Sequence, residues 1–254
     1  MLDAIGLVYD AGLDPAAWSA ALEHVAALLG ANSAAIALLD PHVQVLFAAH
    51  VRADPRAMEA YVGHYRLHDP VLAALHARAP GQAIPDGAAC TKAELWRSRF
   101  HDEWCRPAGV EHTVQGLPFR DAGGAGVLAL CRGTGSEAFD AAEVAVVSTL
   151  LPHIARALRV QMRLHAAGLA RDAVADALDG VPQAVLLVDA QARVVHANRS
   201  AAGLLRASGG LDSDADGLRA DRPGQTRALH ALVARASVSP NGGDLVLDLS
   251  LIHI

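Results

Sequence analysis

Apolar side chains recur at helical spacing through Trp18, Leu22, Val25, Leu28 and Leu29, after an Asp14-Pro15 start and before Gly30. An aspartate cap, a proline at the first helical position and a terminal glycine predict an amphipathic helix. The period then changes. Two short apolar runs, SAAIALL (33–39) and VQVLFAA (43–49), flank Asp40-Pro41-His42 and predict a hairpin of buried strands. Asp54-Pro55 opens a helix through Met58, Tyr61, Val62 and Tyr65, and Asp69-Pro70 opens another that ends near Ala79-Pro80-Gly81. After a loop of Gly, Pro and Ala, Thr91 and Glu94 form a capping box ahead of a helix carrying Trp96, Phe100 and Trp104, which Pro107 and Gly109 end. Residues 112–119 (HTVQGLPF) and 126–132 (GVLALCR) predict a second strand pair across Asp121-Ala122-Gly123-Gly124, so the sheet has at least four strands.

From Asp140 a long helical pattern sets Val144, Val147, Leu151, Ile154 and Leu158 at three- and four-residue steps. Such a seam suits two paired helices, and equally a helix that covers its own sheet. Pro152 should kink it. The pattern continues through Met162, Leu169, Val174 and Leu178, and we expect Val147, Leu151, Ile154, Leu158 and Met162 to form the dimer helix of a homodimer. After Gly180-Val181-Pro182, VLLVD (185–189) and RVVHAN (193–198) flank a tight turn, and Asn198 is placed to cap a helix over Arg199–Arg206. A Gly- and Asp-rich stretch (209–223), a helix from about Gln225 to Ala236 and a strand over Asp244–Leu249 follow. The expected division is a first domain over 1–139, a connecting helix over 140–178 and a second domain over 179–254.

Composition narrows the class. Hydrophobic residues make up 52% but aromatics only 4%, so aliphatic side chains and alanine must fill the cores. A net charge of −6 argues against direct gripping of a phosphate backbone. Cys90, Cys105 and Cys131 form neither a paired disulfide pattern nor a zinc knuckle. The N-terminus carries acids where a signal peptide carries basic residues, and a soluble, cytoplasmic protein without a membrane partner is expected.

The segment VLLVDAQARVVHANRSAAGLL (185–205) resembles the opening of PAS domains. Together with Ile5 to Trp18, ELWRSRFHDEWCRPAG (94–109) and the LLPHIARAL segment, nearly the whole chain resembles the sensory half of LuxR-type helix-turn-helix transcription regulators. The resemblance implies an α+β fold: a GAF-like antiparallel sheet flanked by helices, a long connecting helix, then an incomplete PAS-like α/β domain. It also implies a DNA-binding helix-turn-helix that this chain does not contain, so DNA contact is expected only through that absent C-terminal domain. The terminal LSLIHI (249–254) is out of keeping with what precedes it and suggests a truncated reading frame.

Candidate chemistry is sparse. Trp96, Phe100 and Trp104 share a helix face by i, i+4 spacing and are candidates to line a pocket for an unknown small molecule, although simple core packing is the more common use of large rings. Tyr61, Tyr65 and Asp69-Pro70-Val71 resemble the ligand-contacting stretch of acyl-homoserine-lactone receptors, without the tryptophan that precedes such a tyrosine; helix capping explains Asp69 as well. His64 with His68, and His101 with Cys105, are pairs one helical turn apart and lack a third ligand at a telling spacing. No nucleophile–base pair or phosphate-loop motif is legible. We therefore expect no enzyme activity, metal or cofactor, and a sensor that passes its bound state to a DNA-binding domain; a stand-alone binding module with no DNA role is the alternative.

Overall fold

The computed structural model describes residues 1–42, 44–207 and 210–238; the strand expected over Asp244–Leu249 and the 249–254 tail lie outside them. The chain forms two compact units, Met1–His165 and one that starts at Ala166. The first unit holds helices α1 (Leu2–Leu13) and α2 (Trp18–Leu28), strands β1 (Ser33–Leu39) and β2 (Val45–Val51), and helices α3 (Pro55–Gly63) and α4 (Pro70–His76). Strand β3 (Ala83–Pro85), helix α5 (Lys92–Trp96), and strands β4 (Val110–Gly116), β5 (Arg120–Asp121) and β6 (Gly124–Gly133) follow. Helix α6 (Ala141–Asp179) begins in this unit and ends in the second.

The strand order is β2-β1-β6-β4-β3, with β5 paired to the start of β6, and every pairing is antiparallel. The expected hairpins form at β1–β2 and around β6. Local chemistry starts the helices as the sequence suggests. Asp54 and Asp69 accept hydrogen bonds from the backbone N–H groups of Arg56 and Val71, with proline next in line, and Thr91 with Glu94 closes a full capping box on α5. In the first unit, α1 and β3 are among the elements absent from the sequence reading. Helix α1 buries Ala4, Val8, Ala11 and Gly12, small residues whose amphipathic signal is faint, and β3 is only three residues long.

Strand periodicity gives the sheet two distinct faces. Ala34, Ile36, Val114, Leu128 and Leu130 point one way into a core shared with α1, α2 and α6. That core holds Val147, Leu150, Leu151, Ile154 and Leu158, none more than 1% exposed, with the half-buried Met162 packed against it. This corrects the expected dimer seam: Val147, Leu151, Ile154 and Leu158 are buried against this chain's own sheet and are not available to a partner, and Met162 packs half-buried against the same core. The three- and four-residue spacing is common to both uses, and the sheet supplies the matching surface. Gly116 on β4 and Gly126 on β6 leave sockets, since an added Cβ would stand 2.6 Å from Leu151 Cδ2 at the first and 2.8 Å from Leu158 Cδ1 at the second. On the helix's other flank, Gly12 of α1 meets the α6 backbone, its missing Cβ 2.9 Å from Ala157 Cα. Trp18 Nε1 donates to Gln161 Oε1 at 2.8 Å, so the buried polar atoms of this layer satisfy each other.

Pro152 lies inside α6 without ending it. One stretch of α6 is apolar enough by length and composition to cross a membrane, but its first half spends that apolar surface on the sheet. Later on the helix, Leu164, Leu169 and Val174 are exposed.

The second unit contains β7 (Leu186–Val188), β8 (Val194–Ala197), α7 (Arg199–Arg206), β9 (Leu211–Asp214), β10 (Gly217–Ala220) and α8 (Pro223–Val238). Strands β7–β8 and β9–β10 form two separate antiparallel ladders. Asn198 organises the first: its Oδ1 accepts from Ala201 N as the α7 cap and from Val185 N, while Nδ2 donates to the carbonyls of Leu178 and Gln183. The β9–β10 hairpin lies in the stretch read as irregular. Its Asp-rich first strand buries only Leu211, so no apolar alternation betrays it.

Truncating a socketed leucine tests the intramolecular seam. Leu158→Ala should lower unfolding free energy by about 2–5 kcal/mol in urea titration, with no change in oligomeric state by sedimentation.

Candidate functional site

The opposite face of the same sheet is floored by small and polar side chains. In register, Ala35 and Gln115 flank Ala129, and Ser33 and Thr113 flank Cys131. These two rows, from β1, β6 and β4, leave a cavity of about 150 Å³ between the sheet and the helices above it. The roof comes from α3, from the start of α4 and from the segment after α5. That segment contains a short π-helical turn, His101–Cys105, closed by the Arg106 N–H to His101 carbonyl bond. Such widened turns often sit at functional sites, and here the turn buries Trp104 and Cys105 together.

Three aromatic rings meet in the roof. Phe100 and Trp104 stack with centroids 5.4 Å apart, and Tyr61 lies 4.8 Å from Trp104. Trp104 Nε1 donates to the Ala57 carbonyl at 2.9 Å, which ties the π turn to α3. The Tyr61 hydroxyl donates to Asp69 Oδ2 at 2.7 Å, and Gln115 Nε2 donates to the same oxygen at 2.7 Å. Asp69 Oδ1 accepts from the backbone N–H groups of Val71 and Leu72. One aspartate therefore caps α4, anchors the roof tyrosine and holds the floor glutamine. Burial first, and Asp69 second, raise the Tyr61 hydroxyl's pKa well above its ordinary value, so it stays a donor.

Several buried polar atoms at this cavity lack a partner among the described residues: Gln115 Oε1, Thr113 Oγ1 and Asp86 Oδ2. Native interiors seldom leave such atoms unpaired, and a bound molecule that completes them fits the arrangement. Asp86 Oδ2 has Lys92 Nζ at 3.4 Å and His112 Nδ1 at 3.6 Å, beyond good hydrogen-bond length. The thiols are chemically quiet. Burial is the main cause that raises Cys105, with Asp69 second, and burial pushes Cys131 up to about 12; neither is the activated thiolate a nucleophile needs.

Of the residues singled out from sequence, Tyr61, Asp69, Phe100 and Trp104 line the cavity. Tyr65 packs behind them as a half-buried neighbour of the aromatic cluster. Trp96 does not belong to the site. It is 52% exposed, lies over Lys92 and beside His101, and corrects the shared-face reading. Helix α5 stops at Trp96, where Ser98 Oγ donates to the Leu95 carbonyl and accepts from His101 N, so i, i+4 spacing does not carry across the break to Phe100. The floor residues Thr113, Gln115, Ala129 and Cys131 were not singled out. Their signal was a polar alternation within HTVQG and small residues within GVLALCR. His64 and His68 approach with ring centroids 5.1 Å apart, but among the described residues no group of three or more His, Cys, Asp or Glu is placed to hold a metal ion.

The chain is thus an α+β protein of two units, the first built around an antiparallel sheet with a lined cavity. Residues 174–234, within the second unit, match the family model described as PAS domain. Among solved structures, the chain is similar to the N-acylhomoserine-lactone-dependent LuxR-family transcription factor CepR2 from Burkholderia cenocepacia, at 17% identity over 64% of this chain and 97% of that one, with a TM-score of 0.46. It is also similar to the VqsR LBD domain from Pseudomonas aeruginosa (16% identity, 63% and 95% covered, TM-score 0.49). A third is the GAF domain of an Acinetobacter phosphoenolpyruvate-protein phosphotransferase (15% identity, 65% and 94% covered, TM-score 0.41). No curated protein matches the chain.

Protonated buried groups set an alkaline limit on stability. The folded-state values of Cys105, Cys131 and Tyr61 lie above the ordinary 9.0 and 10.0, so the unfolded chain releases these protons first as pH rises. Their contribution is complete below the ordinary thiol value and is lost as pH climbs through and beyond it. Urea unfolding should show flat stability near neutrality and a decline above about pH 9, and the Cys105 and Cys131 thiols should react with iodoacetamide only as the chain unfolds.

Proposed function

We propose that the first unit is a ligand sensor whose cavity takes up a small, mostly apolar molecule with a polar head. The observation that carries this reading is the pairing of an aromatic-roofed cavity with buried, unpartnered Gln115 Oε1 and Thr113 Oγ1 on its floor. Sites for small molecules have that character: an apolar lining with a few convergent polar groups. No residue here has the arrangement of a nucleophile beside a base, so the proposed role is binding without turnover.

Signal transmission follows from the two faces of one sheet. Strands β4 and β6 bear the cavity floor on one side and the Gly116 and Gly126 sockets for Leu151 and Leu158 on the other. A ligand that favours one arrangement of these strands also favours one seating of α6, and binding shifts the population toward it. In this reading the chain is the sensory part of a cytoplasmic transcription regulator that acts on DNA through a further domain. It works as a homodimer, with the dimer helix now assigned to the exposed stretch around Leu169 and Val174 in place of the buried seam.

Filling the floor tests the cavity reading. In a small-molecule screen followed by thermal unfolding, the natural chain should gain several degrees with its best binders, and Ala129→Leu should stay folded yet lose that gain. Equal stabilisation of both chains, or none of the natural one, would overturn the proposal.

A further inference from the structure

The cavity wall holds a buried carboxyl group, Asp69, that no cation pairs with among the described residues. Asp69 is 3% exposed, and its two oxygens are held by four neutral donors, the Tyr61 hydroxyl, Gln115 Nε2 and two backbone N–H groups. Among the described residues it forms no salt bridge with a Lys, Arg or His. The cationic groups around the rim are engaged elsewhere: Arg132 pairs with Glu143, and Arg52 pairs with Glu23 at 2.8 Å. Lys92 is committed to Asp86 and, at 2.6 Å, to the Glu111 carbonyl. A carboxylate kept ionised away from water is costly unless a positive charge compensates it.

The free polar atoms agree with this charge. Gln115 lines the cavity, is 3% exposed and has in Oε1 a buried acceptor without a donor among the described residues, while its Nε2 is spent on Asp69. Asp86 Oδ2 is a second buried acceptor on the wall without a hydrogen bond among the described residues, its charge met by Lys92 at 3.4 Å. These two acceptors ask the occupant for hydrogen-bond donors, and the Thr113 hydroxyl, which can donate or accept, accommodates one as well. The rings of Tyr61, Phe100 and Trp104 line the same cavity, and aromatic rings attract a cation.

We infer that the ligand is a small organic amine, bound as its ammonium ion, with a body no larger than about one ring. This rests on the cavity reading above and narrows it. The ammonium N–H groups would donate to Gln115 Oε1 and Asp86 Oδ2, its charge would compensate Asp69, and its carbon body would fill the space under the three rings. Size sets the upper bound, since a cavity near 150 Å³ holds a benzene-sized molecule.

Three probes of matched shape separate charge from shape: benzylamine, benzyl alcohol and benzoate, titrated against the full chain near neutral pH with binding read by calorimetry and thermal shift. Benzylamine should bind about tenfold or more tighter than benzyl alcohol, with benzoate showing no binding. Gln115→Leu and Asp86→Asn should each shrink the amine's advantage over benzyl alcohol severalfold, and Ala129→Leu should abolish the binding of both. If one polar variant fails to fold, the other carries the comparison. Benzyl alcohol or benzoate binding as tightly as benzylamine would overturn the amine assignment and leave the cavity reading standing. Benzylamine binding undiminished by Ala129→Leu would place the amine outside the cavity and overturn the assignment too. If none of the three probes binds, the amine assignment fails; if the wider screen also yields no binder, the cavity reading falls with it.

Discussion

The seating of two leucines of α6 in two glycine sockets of the sheet fixes the geometry of the first unit. Leu151 meets β4 at Gly116 and Leu158 meets β6 at Gly126, and a side chain at either glycine would force the leucine out of its seat. With the helix this close, Val147, Leu150 and Ile154 complete a dry layer with α1 and α2, where packing at interior density makes each lost methyl group costly. The close approach commits one sheet face to packing. The other face, by the two-residue alternation of strands, is left for Ala35, Thr113, Gln115, Ala129 and Cys131, side chains too small to fill the space under the roof.

Electrostatics then gives that space its character. Asp69 begins as a helix cap, a local job written into an Asp-Pro pair, and its second oxygen draws together Tyr61 from the roof and Gln115 from the floor. The fold can bury this carboxylate because four donors solvate it, but donors alone do not cancel its charge. Local folding chemistry and ligand preference thus share one residue. That sharing is why Asp69 reads at once as a cap and as a site residue.

Much of this was legible in the sequence. The Asp-Pro helix starts, the Thr91–Glu94 capping box and the apolar strand runs each act through nearest neighbours, and each is found where the residues put it. The seam through Val147, Leu151, Ile154 and Leu158 was visible, but its partner was not, because a heptad-like stripe fits a sister helix and a socketed sheet alike and the sockets are distant glycines. Trp96 was misplaced when a helix expected to run on broke at Arg97 and resumed as a π turn; that break depends on a serine hydroxyl serving both sides. Helix α1 and the β9–β10 hairpin escaped because alanine, glycine and aspartate carry little periodic signal. The floor needed cross-strand register, which no single strand encodes.

The central claim is that the cavity floor and the helix anchor are two faces of one mechanical element. A double-mutant cycle between Ala129→Leu on the floor of β6 and Leu158→Ala at its socket, read by urea unfolding, addresses it directly. If β6 joins them, the two changes should interact by at least about 0.5 kcal/mol, beyond the scatter of independent sites. Strict additivity would mean that the strand does not couple the cavity to α6, and would contradict the proposed route of the signal.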